Sequence, residues 1–211
     1  MIKEYLKTGT TTVGIKCRDG IVLAADKRAG GGIIIDKRAQ KIYQITSNIA
    51  LTMAGVASDA QLITKLIGAE LRLIEIRKEK SVSVKEAANL LSGIVYQNIR
   101  KFSTIPGISH FILGGKDSKG FHIFDIYPDG SLSECRDFLS SGSGSVMAYG
   151  VLETIYKQDL SIQEGVNLAV QCLNAAIQRD MNSGDGIDII KITNKGVEKV
   201  ASKDLTQKIT L

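Results

Sequence analysis

The chain has 211 residues, 44% of them hydrophobic and 23% charged, with two prolines; this is enough for one domain with a substantial core and excludes a disordered or collagen-like chain. Lys and Arg outnumber Asp and Glu by 27 to 22, a net charge of +5, yet tryptophan is absent and aromatics make up 5%, so the basic and aromatic footprint of a nucleic-acid binder is missing and no such partner is expected. The longest apolar runs, such as Ile33-Ile34-Ile35 and Phe111-Ile112-Leu113, are far shorter than the roughly 20 residues a spanning helix needs, and no signal-like segment opens the chain, so a cytoplasmic protein with no membrane contact is expected.

Residues 10–17 alternate polar and apolar at Val13, Ile15 and Cys17, Arg18-Asp19-Gly20 makes a turn, and residues 21–26 form a nearly continuous apolar run. This predicts a hairpin. After Gly30-Gly31-Gly32 come β-rich runs at 33–35, 41–45 and 49–54, the last closed by Gly55, and the first half is expected to form a small antiparallel sheet. A helix is predicted over 59–80 from the apolar pairs Leu62/Ile63, Leu66/Ile67 and Leu73/Ile74, and a second begins at the capping box Ser83-Val84-Lys85-Glu86. Pro106-Gly107 ends this region. Strands at 110–114, 121–126 and 131–138 then predict a second sheet, with Pro128-Asp129-Gly130 as the turn between the last two. A Ser/Gly loop at 140–145 leads into a helix ending near Tyr156, and the capping box Ser161-Ile162-Gln163-Glu164 starts a helix with Val166, Ala169, Val170, Leu173, Ala176 and Ile177 at helical spacing. Strands at 187–193 and 197–201 close the chain. Because the helices come in pairs, an α+β arrangement of two antiparallel sheets between helix layers fits better than a doubly wound fold.

The usual catalytic groups are poorly supplied. His110 and His122 lie inside strand runs, no G-x-S-x-G elbow exists, and neither a Cys pair nor H-E-x-x-H provides a zinc site. No cofactor or metal is implied. Cys17, Cys135 and Cys172 are odd in number and widely spaced, the pattern of buried free thiols in a reducing compartment. The 140–145 loop precedes a helix and offers a backbone nest for phosphate, but it lacks the Lys-[Ser/Thr] ending of a Walker sequence, and a flexible loop explains it as well. Thr10-Thr11-Thr12 after Gly9 reads as a Thr-rich strand; with Asp26-Lys27-Arg28, Lys41 and Ala54-Gly55 at other strand ends, a carboxylate, an ammonium and a small residue's amide fall at one sheet edge.

The ordered set Thr10-Thr11-Thr12-Val13-Gly14-Ile15, Asp26-Lys27-Arg28, Lys41, Met53-Ala54-Gly55, Asp59-Ala60-Gln61, Ser141-Gly142-Ser143-Gly144-Ser145 with Tyr149-Gly150, and Arg179-Asp180 with Ser183-Gly184 resembles the archaeal-type proteasome β subunits, threonine peptidases among the N-terminal nucleophile hydrolases. The resemblance covers nearly the whole chain after Gly9. It implies a four-layer αββα sandwich, in agreement with the paired helices.

The same resemblance implies that residues 1–9 are a propeptide removed by autocatalytic cleavage between Gly9 and Thr10, leaving 10–211 as one hydrolase domain. Thr10 would then be the nucleophile. Its freed amine, with a pKa near 7.7 to 8.0, would serve as the base that the histidines do not supply. Lys41 is implied beside Thr10 with Asp26 fixing it, Gly55 N–H as the oxyanion donor with a helix starting just after it, and Ser143, Asp180 and Ser183 around the amine. Ala29, Ala39, Met53 and Ala57 are implied to line the first specificity pocket, for apolar residues without sharp selectivity. Arg28 and Gly30 are implied along the substrate edge, where glycine replaces the usual Thr or Ser; it retains the backbone groups that clamp an added strand but loosens that edge. The implied partners are α subunits, other β subunits in a seven-membered ring, a regulatory ATPase and unfolded polypeptide substrates. The alternative left open is a structural or low-activity β subunit of the same ring.

Overall fold

In a computed structural model of the protein, residues 9–30 and 33–205 are described. Residues 1–8 of the expected propeptide, and Gly31 and Gly32, lie outside them. The expected first hairpin forms: β1 (Thr12–Cys17) and β2 (Gly20–Asp26) pair from Thr12↔Ala25 to Cys17↔Gly20. Along β2 both sets of alternating side chains are buried, so it must be covered on both faces and have neighbours on both edges. Those neighbours are β1 and β11 (Gly186–Thr193), and the five-stranded sheet runs β10-β1-β2-β11-β12, with β10 spanning Phe138–Ser141 and β12 spanning Gly196–Asp204.

A second five-stranded sheet runs β5-β6-β7-β8-β9, built from Ile42–Gln44, Ile49–Gly55, Ser109–Asp117, Gly120–Ile126 and Leu132–Cys135. The first half of the chain therefore does not make one sheet, as its strand runs suggested. The opening hairpin joins the C-terminal strands, while β5 and β6 join the middle ones. Alternation specifies which faces a strand buries but not which strand lies beside it. A second difference has a local cause. The single strand expected over 131–138 is two strands in different sheets, because the chain bends at Arg136-Asp137, where Asp137 Oδ1 accepts from Phe138 N–H at 2.8 Å and Lys16 N–H donates to Asp137 O at 2.7 Å. The run at 33–35 is not core either: β3 (Ala29–Gly30) and β4 (Ile34–Asp36) form a separate two-stranded ribbon with all three isoleucines exposed.

Helices α1 (Ala57–Lys78) and α2 (Val84–Arg100) cover one sheet, and α3 (Ser145–Ile155) and α4 (Ile162–Arg179) cover the other. Both expected capping boxes form, Ser83 with Glu86 and Ser161 with Glu164. In α1 only one member of each apolar pair is inside: Ile63 and Ile67 are buried, whereas Leu62, Leu66 and Leu73 are exposed, because a 100° step per residue turns adjacent positions apart. Three apolar clusters separate the four layers, the middle one packing Ile21, Leu23 and Ile192 of one sheet against Ala50, Ile112 and Ile123 of the other. Cys17 and Cys172 are buried free thiols, their pKa pushed up to about 12 by desolvation; Cys135 is only half-buried, its Sγ donating to Phe138 O at 3.1 Å. Among the described residues, no helix is long and apolar enough to cross a membrane.

The middle layer leaves little room for collapse: a Cβ added to Gly14 would lie 2.9 Å from Ile112 Cγ2. Ile112→Ala is expected to lower the unfolding free energy by about 2 to 5 kcal/mol in chemical denaturation. A loss below about 1 kcal/mol would show that the two sheets are not close-packed at this point.

Candidate active site

The last residue of β2, Asp26, is 1% exposed, and its carboxylate is saturated with donors. Oδ1 accepts from Lys41 Nζ at 2.7 Å and Thr11 N–H at 2.9 Å; Oδ2 accepts from Gly184 N–H at 2.9 Å and Arg28 N–H at 3.0 Å. Four donors make an ionised carboxylate tolerable in a buried site. Lys41, just before β5, is 4% exposed. Burial pulls its pKa below the ordinary lysine range, with the Asp26 charge and hydrogen bond opposing that shift in part.

From this pair the ammonium reaches the peptide bond expected to be cleaved. Lys41 Nζ donates to Gly9 O at 3.4 Å, and the Thr10 hydroxyl donates to the same oxygen at 2.6 Å. Thr10 is 4% exposed. Its nitrogen is here a peptide amide, which donates to Ser143 Oγ at 3.3 Å and has no basicity of its own.

The other side of Thr10 is held by Asp180, the C-cap of α4. Asp180 Oδ2 accepts from Ser143 Oγ and from Ser183 Oγ, each at 2.6 Å, and Oδ1 accepts from Asn182 N–H at 3.2 Å. Ser183 does not reach Thr10; it meets the hydroxyl of Thr11 at 2.7 Å. The Ser/Gly segment is not a phosphate nest. Ser140 and Ser141 belong to β10, Gly144 N–H donates to Thr10 O at 3.3 Å, and the Asp180 carboxylate faces the turn. Its glycines permit close approach instead, since a Cβ on Gly142, where φ is +89°, would lie 2.1 Å from Thr10 O.

Thr10 and Gly9 open onto a cleft of about 310 Å³ lined by Ala29, Ala39, Met53 and Ala57, the four residues expected for the specificity pocket. Tyr43, Ala60 and Gln61 complete its wall, and Asp36 and Gln40 also face it; none of these five was singled out from the sequence as pocket-lining. Gly55 lines the cleft too. Met53 N–H donates to Lys41 O at 2.9 Å, so by strand alternation the Gly55 N–H points to that same side. Its φ of +109° and the 2.2 Å from an added Cβ to Ile108 O require glycine there, and α1 begins two residues later, as expected.

Two expected substrate residues, Arg28 and Gly30, are not among those lining the cleft. The Arg28 guanidinium turns away from the cleft, its Nε donating to Asp185 Oδ2 at 2.7 Å and Nη1 to Met181 O at 2.9 Å, so it clamps the turn that carries Ser183 and Gly184. Gly30 pairs with Ile34, and a Cβ there would lie 1.9 Å from Ile33 O, so the ribbon itself demands glycine. The histidines lie elsewhere, His110 bound to Asp125 at 2.6 Å and His122 to Glu134 at 2.8 Å. The participants that sequence reasoning missed are Thr11 and Gly184. Their only signal was adjacency, Thr11 in the threonine triplet and Gly184 after Ser183.

The chain matches the proteasome subunit family over residues 6–192. A protein of Ferroglobus placidus named proteasome subunit beta is 44% identical over 206 residues, covering 97% of this chain and 96% of that protein. Proteins of the same name from Archaeoglobus fulgidus, at 40% over 98% of this chain and 96% of the relative, and from Nanoarchaeum equitans, at 45% over 90% and 96%, are similar to it as well.

The buried Lys41 has a measurable signature. In the unfolded chain a lysine titrates near pH 10.4; in the folded chain Lys41 titrates lower. As pH rises through that window the folded state releases its proton first, so folding is favoured increasingly up to the unfolded value. Denaturant unfolding of wild type and Lys41→Met at successive pH values is expected to show wild type gaining on the variant as pH rises towards ~10.4. A constant or falling difference would contradict the shift.

Proposed function

The chain belongs to the proteasome subunit family, and from that premise we propose that it is a catalytic β subunit, an endopeptidase whose nucleophile is Thr10 once residues 1–9 have been removed. A protease role in the proteasome core particle, and assembly there with other subunits, follow from the membership itself. The finer reading adds α-subunit rings flanking β rings of seven, an ATPase that delivers unfolded chains, and a cytoplasmic location.

The observation that carries the proposal is the convergence of the Thr10 hydroxyl at 2.6 Å and the Lys41 ammonium at 3.4 Å on the carbonyl oxygen of Gly9. In the uncut chain the ammonium polarises that carbonyl, and Thr10 Oγ adds to its carbon. The C–N bond then breaks, the proton given up by the Thr10 hydroxyl passes by way of the carbonyl oxygen it already bonds to the leaving nitrogen, and an ester links Gly9 to Thr10 Oγ. Water hydrolyses the ester and leaves the Gly9 carboxylate and a free Thr10 amine. That amine, with an ordinary pKa near 7.7 to 8.0, becomes the base for the hydroxyl of its own residue.

With peptide substrates the same atoms serve again. Lys41, held by Asp26, favours the deprotonated hydroxyl; Ser143 holds the amine; Gly55 N–H, on the side of the cleft, supplies the oxyanion donor, an interaction typically worth about 3 to 4 kcal/mol. The small walls of Ala29, Ala39 and Ala57 over Met53 accept an apolar side chain before the cut bond. A structural role had only Gly30 in its favour, and the geometry of the ribbon accounts for that residue.

Intact mass of the assembled particle is expected to show a chain beginning at Thr10. Thr10→Ala is expected to retain residues 1–9, to assemble, and to lose peptide hydrolysis by at least about three orders of magnitude. Hydrolysis at the wild-type rate in Thr10→Ala would place the nucleophile elsewhere, and a wild-type particle with residues 1–9 intact would favour the structural role.

A further inference from the structure

We propose that Thr11, the residue after the nucleophile, is a positioning residue for the same reaction, its hydroxyl tying the lysine side of the site to the amine side; this rests on the reading of Thr10 above. Thr11 is fully buried. Its N–H donates to Asp26 Oδ1 at 2.9 Å, the oxygen that also holds Lys41 Nζ at 2.7 Å, and its carbonyl accepts from Asp26 N–H at 3.1 Å. Its hydroxyl meets Ser183 Oγ at 2.7 Å, and Ser183 Oγ in turn lies 2.6 Å from Asp180 Oδ2, the oxygen that also binds Ser143. One residue thus touches both carboxylates' networks.

The proton directions follow from the acceptor at the end of the chain. An ionised carboxylate only accepts, so Ser183 and Ser143 both donate to Asp180. The oxygen of Ser183 is therefore an acceptor, and Thr11 is the donor to it. By the same logic the oxygen of Ser143 accepts from the Thr10 nitrogen, at 3.3 Å. Donation from Thr11 polarises the Ser183 O–H and strengthens its bond to Asp180 Oδ2, which draws charge away from the oxygen facing Ser143. Loss of the Thr11 hydroxyl leaves more negative charge beside the Thr10 amine and favours its protonated, unreactive form. The packing is specific to this hydroxyl: a Cβ on Gly144 would lie 2.0 Å from Thr11 Oγ1.

Thr11→Ser and Thr11→Ala both lose the methyl group and differ only in the hydroxyl, so the pair isolates the proposed function. Both are assayed as assembled particles on a fluorogenic peptide with an apolar residue before the cut bond, over pH 6 to 9, with the active fraction counted as processed chain by intact mass. Thr11→Ser is expected to match wild type. Thr11→Ala is expected to lose about twofold in kcat on the acid side of its pH profile with KM unchanged, as that limb moves up by roughly a few tenths of a pH unit. A space-filling role would lower the processed fraction without moving that limb. If Thr11→Ala does not fold, Thr11→Val, which keeps the volume, is read in its place against wild type. Equal kcat and an unmoved limb in the hydroxyl-free variant overturn the proposal. If Thr10→Ala is inactive in that same experiment, the nucleophile reading stands and only the role of Thr11 falls; activity in Thr10→Ala would sink both.

Discussion

A buried carboxylate at the end of β2 organises this molecule. Leaving Asp26 ionised inside the protein costs several kcal/mol unless its oxygens are matched by donors, and each of its four donors comes from a different segment: Thr11 before β1, Arg28 after β2, Lys41 before β5 and Gly184 after α4. Arg28 is local, but to satisfy the anion the fold must bring three other stretches to the end of β2. The desolvated Lys41, the Thr10–Gly9 peptide and the turn carrying Ser183 all take their positions from that requirement. The chemistry of the site is thereby built on a stability constraint.

The four layers make this convergence possible. Sheet ends from both layers point into one cleft, because β1 and β2 lie against β5, β6 and β7 across the middle apolar cluster. β6 ends at Gly55, whose left-handed φ of +109° aims the chain into α1; α4 ends at Asp180, where the cap of a helix becomes an acceptor for two serines. Helix and strand termini leave backbone groups unpaired within their own element, and the site is assembled from such termini. A rigid core positions them while the cleft itself stays lined by small side chains.

While the Thr10 nitrogen is an amide it can donate to Ser143 but cannot accept a proton. The contacts proposed to hold a free amine are therefore already present around the amide, and the proposed cleavage would change one atom's basicity rather than the architecture around it. In the proposed mechanism, activation requires no rearrangement of the site.

Much of this was legible in residue order. The capping boxes at Ser83 and Ser161, the hairpin through Arg18-Asp19-Gly20 and the paired helices are local signals, and local backbone preferences express them without help from the rest of the chain; Thr10, Asp26, Lys41, Gly55, Ser143, Asp180 and Ser183 were named only by the family resemblance of the ordered set. Strand partners, the split of 131–138 between two sheets, the outward turn of Leu62 and Leu66, the clamp made by Arg28 and the strap made by Thr11 were decided by tertiary structure. Each depends on which groups compete for one buried partner or one face, and periodicity along a chain states what must be covered without stating by what.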